Sequence, residues 1–365
     1  MSKKLGELNK IKIKGYKSIK SLELELKSLN ILIGSNGVGK SNFISFFKFM
    51  KKILDKDLQF YTAQQGGANK MLHFGSKNTD ILSFELLLGF NKYEAVLSST
   101  IDDKFIFNDE KTFCEYSSKN FMPNNSGGLE SKLPSFTKES VNVNTHIVNY
   151  LNDWKVYHFH DTGSTSKLKQ TCNINNCTLL SPDGANISAF LKYIKSYNQK
   201  SYNQIVKTIQ RVAPFFQDFI LEPEIHNKET IKLKWKHKGS DEYFDANDLS
   251  DGTLRFICLT TLLLQPNLPT IILLDEPELG LHPFALKILA GMFKKISKKT
   301  QIIASTQSVT LADNFNIDDI IVVNRKDNHS ELARLDKEKY KDWLEEYSLG
   351  EIWQKNLIGG NPTYD

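Results

Sequence analysis

The sequence has little cysteine and no long apolar run: four cysteines occur among its 365 residues. Four cysteines in a chain of this length do not form the framework of a disulfide-rich secreted protein. No apolar run approaches the roughly 20 residues of a membrane-spanning helix. The N-terminal residues 1–5 also lack the apolar core of a signal peptide. We therefore expect a cytoplasmic protein that has no membrane partner.

Strong net charge, internal repeats and heptads are missing as well. The net charge is +5, and the hydrophobic and charged fractions of 40% and 24% are ordinary for a globular protein. This mild positive charge permits a nucleic-acid or acidic protein partner without arguing for one. The length suits two or three domains, or one large α/β domain with an insertion.

A glycine-rich segment matches the phosphate-binding pattern G-x-x-x-x-G-K-[ST] at every fixed position. It reads Gly34-Ser35-Asn36-Gly37-Val38-Gly39-Lys40-Ser41, and Asn42 follows it. The apolar run 29–33 before it predicts a buried strand, and the spacing of apolar residues over 42–54 predicts a helix. Backbone N–H groups of such a loop surround phosphates at a helix N-terminus. We expect Lys40 to reach the β- and γ-phosphates of ATP and Ser41 to bind Mg²⁺.

Two adjacent carboxylates follow a second apolar strand, residues 271–274. They are Asp275 and Glu276, at the strand end where open α/β sheets bind ligands. We expect Asp275 to hold Mg²⁺ and Glu276 to act as the general base toward water. The alternative, that these carboxylates only cap a helix, is disfavoured by the phosphate-binding pattern in the same chain.

A third segment, Leu249-Ser250-Asp251-Gly252-Thr253, opens a predicted helix just before that strand. An exposed helix start that carries Ser250 and Gly252 is a candidate anion site. In isolation, a simple N-cap by Ser250 explains the segment better. Its position directly upstream of the carboxylate strand favours the functional interpretation.

The periodicities predict an α/β fold with a mostly parallel sheet core, an antiparallel β lobe and a helical insertion. The predicted lobes are residues 1–107 with the phosphate loop, 108–245 as insertion and helical lobe, and 246–365 with the other two motifs. Within the insertion, residues 108–150 are polar and rich in turn formers, so a loop or partner-facing surface is expected there. Helices are predicted over 187–197, capped by Asn186, over 202–212 and, near the end of the chain, over 338–347.

Several weaker signals are better explained by structure than by chemistry. Asn324-Arg325-Lys326-Asp327 nearly matches a guanine-binding motif, but a hairpin turn accounts for it. The spacing of Cys172 and Cys177, with His158 and His160, is wrong for common zinc sites. The lysines of a predicted helix end are expected to be solvated, with a phosphate-backbone contact as the minority interpretation: Lys294, Lys295, Lys298 and Lys299. Either Gln64 or Gln65 is a candidate contact to Mg²⁺ or the γ-phosphate, and the sequence does not choose between them.

Four motifs together resemble those of the ABC-type ATPase heads of the SMC, RecF and overcoming-lysogenization-defect families. They are residues 12–19, the loop 34–41, the signature 249–253 and the carboxylate segment 273–278. The chain is similar to the standalone AAA-type ATPases of prokaryotes, which are associated with phage defence. This resemblance implies a homodimer in which residues 250–253 contact the γ-phosphate of ATP held by a second protomer. It also implies that the loop 278–283 crosses the dimer interface.

Two residues depart from the family pattern. Asp251 replaces the first glycine of the transporter-type signature, and Gln307 stands where the family has a switch histidine. Glutamine can hydrogen-bond a phosphate or water but cannot take up a proton, so we expect slow hydrolysis of ATP. Without heptads no coiled-coil arm is expected, and no TOPRIM nuclease is expected because the sequence ends about where one would begin.

The sequence leaves three functional classes open. The first is an ATP-hydrolysing dimeric switch in nucleic-acid metabolism or phage defence, which regulates a separate nuclease-like effector or binds DNA as RecF-like repair proteins do. The second is a transporter ATPase subunit, disfavoured by Asp251 and testable by co-purification with a membrane protein. The third is a GTPase-like switch, disfavoured by the Asp275–Glu276 pair and testable by nucleotide competition.

Overall fold

The protein is described by a computed structural model that covers residues 6–115, 120–122, 125–137 and 142–361. The chain divides into two compact units. The first contains the described residues through Val156, Pro269–Leu273 and the described residues from Thr300 onward; the second contains Tyr157–Leu268 and Leu274–Lys299. None of the helices in the described ranges has the length and apolar character needed to cross a membrane. The three predicted lobes remain a prediction.

Strands and helices alternate along the described chain. The strands are β1 (Leu8–Tyr16), β2 (Ile19–Glu25), β3 (Leu29–Ile33), β4 (Ile81–Leu88), β5 (Asn91–Ser99), β6 (Phe105–Cys114), β7 (Trp154–Tyr157), β8 (Cys172–Asn173), β9 (Phe216–Ile220), β10 (Thr230–Ile231), β11 (Lys234–His237), β12 (Tyr243–Asp245), β13 (Ile271–Asp275), β14 (Gln301–Thr306), β15 (Ile320–Lys326) and β16 (His329–Arg334). The helices are α1 (Lys40–Leu54), α2 (Leu58–Gln64), α3 (Ala68–Met71), α4 (Val143–Asn152), α5 (Ile187–Tyr197), α6 (Gln199–Val212), α7 (Asp251–Leu264), α8 (Pro283–Ile296), α9 (Val309–Ala312), α10 (Lys341–Glu346) and α11 (Leu349–Gln354).

A six-stranded sheet forms the centre of the first unit, in the order β16-β15-β3-β14-β13-β7. Strand β3 pairs in parallel with both β14 and β15, and all five of its residues are buried. Burial on both faces explains its mostly apolar sequence, as is usual for parallel strands. Strands β13 and β7 continue from the first unit into the second.

A five-stranded antiparallel sheet, in the order β2-β1-β4-β5-β6, completes the first unit. Its strands alternate between buried and partly exposed residues, which is the pattern of a sheet that covers a core with one face. Helix α1 packs an aromatic side of Phe43, Phe46 and Phe49 into the same hydrophobic core. The predicted fold class, a parallel core beside an antiparallel lobe, is confirmed.

The region 108–150 was predicted as a loop or partner-facing surface, and the loop prediction is wrong at both ends of the region. Strand β6 continues to Cys114 and helix α4 begins at Val143. The backbone of 125–133 is held by the buried carboxylate of Glu110, which accepts hydrogen bonds from Asn125, Ser131 and Lys132 N. Residues 116–119, 123–124 and 138–141 lie outside the described residues. A deletion of residues 118–140 would thus remove partners of a buried carboxylate, not only a surface loop.

In the second unit, helices α5 to α8 pack with short strands. The sheet β12-β11-β9 is antiparallel, and β10 pairs with β8. Helix α5 has the predicted bounds, but Asn186 does not cap it through its side chain. The Asn186 amide instead joins Ser181 N to the carbonyls of Asn176 and Leu179, because a buried amide satisfies several turn groups at once.

The predicted last helix, 338–347, is present but starts as a 3₁₀ turn. A 3₁₀ turn at Glu338–Tyr340 precedes α10, and a further helix that the sequence analysis missed, α11, follows it. Ser348 caps α11 with a reciprocal hydrogen bond to Glu351. This Ser-x-x-Glu pattern was the signal available in the sequence.

Candidate functional site

The phosphate-binding pattern lies where a nucleotide site requires it, between the C-terminal end of β3 and the N-terminus of α1. Gly39 caps α1 with φ of 111°, a left-handed conformation that favours glycine. A β-carbon at this position would also collide with the Ser330 hydroxyl. The glycine therefore satisfies both the turn and the close approach of a neighbouring strand.

The Lys40 side chain is folded back over the loop and is 5% exposed. Its ammonium donates to the carbonyls of Gly34 at 2.7 Å and Ser35 at 2.8 Å. A positive charge is thus held against the inner face of the loop. The Ser41 hydroxyl, at the exposed start of α1, makes no hydrogen bond to any other described residue.

Two serines that the sequence analysis missed hold the loop from behind. Ser330 Oγ lies 2.5 Å from the carbonyl oxygen of Val38 and 2.7 Å from Ser18 Oγ. The Asn42 amide donates to Ser18 Oγ at 2.7 Å. Ser18 lies in the turn after β1 and Ser330 lies in β16, so only the tertiary structure brings them together.

The C-terminal segment also reaches this loop. Ser35 N donates to the carbonyl of Gly360 at 2.6 Å, and Gly360 N donates to the Asn324 side chain. Asn324 belongs to the near-match of the guanine-binding motif, and Asp327 and Asn328 in that stretch form the turn between β15 and β16. The hairpin interpretation therefore accounts for these residues.

Gln307 follows β14, whose last residue, Thr306, pairs with Ile33 at the end of β3. Since Gly34 follows Ile33, both segments leave the sheet at the same edge. Gln307 therefore follows the strand end next to the start of the phosphate loop. Its role as a switch residue stays a prediction.

The carboxylate motif lies in the second unit. Asp275 ends β13, and Glu276 follows it with φ of 44°, a left-handed conformation that is uncommon for any residue with a side chain. Such strain concentrates at functional sites. His160 Nε2 lies 2.6 Å from the carbonyl oxygen of Asp275. The sequence analysis considered His160 only for zinc, but its position just after β7, the strand next to β13, brings it here.

The signature segment forms the N-terminus of α7. Ser250 caps the helix by accepting a hydrogen bond from Thr253 N at 3.2 Å. Asp251, which departs from the family pattern, lies 3.6 Å from the ammonium of Lys169. A β-carbon on Gly252 would collide with the carbonyl of Gly280, so this glycine is needed for contact with the loop 278–282.

Arg255 links three of these segments. Its guanidinium donates to the carbonyls of Phe159 at 2.9 Å and His160 at 3.0 Å, and also to the carbonyl of Leu279. The side chain is 7% exposed, and burial lowers the pKa of Arg255 from its ordinary value. The start of α7, the segment beside Asp275 and the loop 278–282 are therefore joined through one buried cation. The sequence analysis gave Arg255 no role.

The zinc hypothesis gains no support in the described ranges. No group of three or more His, Cys, Asp or Glu side chains there is arranged to hold a metal ion. Cys172 contacts the Ser188 hydroxyl instead.

Comparison with known proteins identifies the family. Residues 29–313, well over half of the chain, match a family described as "AAA domain, putative AbiEii toxin, Type IV TA system". The chain belongs to this family. A comparison with curated proteins finds no match.

Solved structures extend the fold assignment of this AAA-domain family member. An SMC head bound to the C-winged helix domain of ScpA has a TM-score of 0.59 at 15% identity, over 92% of this chain and 99% of that one. An SMC head with an extended coiled coil, bound to the C-terminal domain of ScpA and derived from Pyrococcus furiosus, has a TM-score of 0.55 at 15% identity, over 93% and 98% of the two chains. At this identity the likeness shows the fold. The predicted fold, that of SMC-type ATPase heads, is confirmed.

The role of Arg255 can be tested because it lies apart from the phosphate loop. We expect Arg255→Ala to slow ATP hydrolysis at least ~10-fold, since three carbonyls lose their charged donor and the segments beside Asp275 and Gly252 lose their common anchor. ATP affinity should stay within a few-fold of the original. Turnover and nucleotide titration measure the two effects, with the exposed Arg325→Ala as matched control. Unchanged turnover in the Arg255→Ala variant would show that Arg255 has no role in the site.

Proposed function

We propose that the protein is an ATP-binding and ATP-hydrolysing dimeric switch that regulates a separate, nuclease-like effector in phage defence or nucleic-acid metabolism. The observation that carries the proposal is the Arg255 link. Arg255, on the helix that would face a second protomer, binds the carbonyl of His160, and the His160 ring contacts the carbonyl of Asp275. A change at the strand end would be transmitted to the helix start through this buried cation.

The residues of the phosphate loop fit a nucleotide. The ammonium of Lys40 is held by loop carbonyls, so phosphate oxygens can replace those carbonyls as its partners with a gain of charge complementarity. Backbone N–H groups over residues 34–42 would contact the phosphates. Ser41, whose hydroxyl makes no hydrogen bond among the described residues, and Asp275 would hold Mg²⁺. The bound metal would supply charge neutralisation to the phosphates.

The remaining residues divide between binding and hydrolysis. Glu276 would accept a proton from the attacking water, and Gln307 would hydrogen-bond the γ-phosphate or that water. Residues 250–253 would contact the γ-phosphate of ATP held by the partner protomer, with the helix N-terminus of α7 as the anion site. Because Gln307 cannot take up a proton, hydrolysis would be slow, which suits a timed switch better than a rapid motor.

The family description supports a role with a second protein. It names a toxin of a toxin–antitoxin system, which is by definition a pair of components. ATP would join two heads and hydrolysis would release them, so surfaces on each head would move as rigid bodies and gate the effector.

A mixing experiment tests the composite dimer. We expect Ser250→Arg and Lys40→Ala each to be inactive alone, since one blocks the helix start and the other the phosphate loop. Random mixing should give one protomer of each variant in half of the dimers, and each of these dimers has one of its two composite sites intact. The mixture should therefore recover up to roughly a quarter of the original turnover. Thermal unfolding of both variants checks that they are folded. Mixtures no more active than the parents would argue that each site is completed within one chain.

The regulatory part has its own test. The purified protein should not cleave DNA or RNA by itself with ATP and Mg²⁺. Cleavage that requires Mg²⁺ and is abolished by Glu276→Gln would overturn the proposal, because the effector activity would then be intrinsic.

A further inference from the structure

A groove in the second unit lies between α6, the end of α7 and one side of α8. It has a volume of about 360 Å³. Its floor is apolar and includes Leu264, Phe284 and Met292. Phe284 is 48% exposed, an unusual position for a large aromatic side chain on a helix that is otherwise well packed.

The rim of this groove is cationic. Arg211 on α6 and both Lys287 and Lys295 on α8 line it, and no Asp or Glu is among its described lining residues. All three cations are exposed, and none forms a hydrogen bond or an ion pair with another residue in the described part of the chain. Lys287 and Lys295 lie eight residues apart, about two turns or ~12 Å along α8. An apolar floor between unpaired cations matches a segment that is apolar on one side and acidic at its edges.

A glycine in the middle of α8 is the second observation. Gly291 is exposed, lines the groove, and an added β-carbon would meet no atom within 4 Å. Glycine inside a helix is destabilising relative to alanine, and the packing of the described residues does not require it here. A bare helix surface allows the backbone of another helix to approach closely. The missing neighbour is therefore expected outside the chain.

We propose that this groove docks an acidic amphipathic helix of a partner protein. Its apolar side would cover Phe284 and Met292, its backbone would pass over Gly291, and its carboxylates would pair with the rim cations. Helix α8 begins directly after the loop 278–282, which contacts Gly252 and Arg255. The occupant of the groove would thus sit on the helix that continues from the proposed dimer interface. Only this link between the groove and the dimer interface rests on the proposed switch. Docking itself does not depend on it.

The test uses a fluorescein-labelled 16-residue peptide of Leu, Ala and Glu, designed with one leucine side and glutamates at its edges. Fluorescence anisotropy of the peptide is measured without nucleotide. A failure of the docking proposal is therefore distinguishable from a failure of the ATP-binding and dimerisation proposals. We expect the intact protein to bind this peptide at least ten-fold more tightly than a matched peptide with Lys at every Glu position. Equal binding of the two peptides, or no binding of the acidic one, would overturn the proposal.

Variants locate the binding. Gly291→Leu fills the groove and should lower the affinity for the acidic peptide at least ten-fold. The double variant with Lys287→Glu and Lys295→Glu should lower it by at least as much. The matched pair Lys294→Glu and Lys298→Glu makes the same charge change on exposed residues outside the groove lining and should leave affinity within about two-fold. Equal losses from both pairs would mean only general charge attraction.

Gly291→Ala separates a packing role from a docking role. We expect it to raise Tm by about 1–3 °C, because alanine favours the helix. We also expect it to lower the affinity for the acidic peptide. A lower Tm would show that the chain itself requires the glycine and would overturn this argument. If the protein bound a 16-base-pair DNA duplex and the Lys287→Glu and Lys295→Glu pair lost this binding, the groove would be assigned to nucleic acid instead. If the protein self-associated and Gly291→Leu lost this association, the groove would be assigned to a second copy of the chain.

Discussion

Lys40→Ala is expected to reduce ATP affinity by about 100-fold or more. The Lys40 ammonium is the charge that the structure holds against the inner face of the phosphate loop, at 2.7 Å and 2.8 Å from two of its carbonyls. Alanine removes this charge and leaves the phosphates without their strongest donor. Titration with a fluorescent ATP analogue measures the loss, and thermal unfolding shows whether the loop variant remains folded.

A lysine elsewhere on the same helix provides the control. Lys48 is exposed on α1 and lies outside the phosphate loop. The Lys48→Ala variant should bind ATP with the affinity of the original protein. If Lys40→Ala kept its affinity within a few-fold while remaining folded, the phosphate-loop assignment would fail. The dimer and hydrolysis proposals would fail with it.

Glu276→Gln is expected to keep ATP affinity within a few-fold and to lower hydrolysis by about 10²–10³-fold. Glutamine has the size and the hydrogen-bonding capacity of glutamate but cannot accept a proton. The strained backbone at Glu276, directly after Asp275, fixes this side chain at the strand end, and Glu276→Gln leaves that backbone in place. Phosphate release and ATP titration measure the two quantities.

The same variant should accumulate the ATP-bound dimer. Sedimentation with ATP should show a dimer for Glu276→Gln that persists longer than that of the original protein, since the hydrolysis that separates the heads is blocked. Glu242→Gln, at an exposed glutamate of the second unit, is the matched control and should behave as the original. Normal phosphate release by Glu276→Gln would assign the base to another residue.

Local sequence patterns determined most of the fold. Strand β3 has the predicted bounds because a short, mostly apolar segment with β-branched residues is typical of a strand buried on both faces. The phosphate loop, Asp275 and Ser250 were predicted because each depends on a residue type at a fixed distance from a strand or helix end. In the region 108–150 the loop prediction was wrong at both ends. Glu110 also fixes part of this region through partners 15 to 22 residues away, which no local pattern reveals.

Other features were decided by the tertiary structure alone. His160 contacts Asp275 because β7 and β13 are neighbours in the sheet, although 115 residues separate them in the chain. Arg255 acts as a link because three carbonyls from separate segments converge on its buried guanidinium. The sequence by itself determined which residues we expect to bind a nucleotide, since that chemistry follows from residue type and spacing. Which residues support those groups depends on contacts between distant segments, and such contacts exist only once the chain has folded.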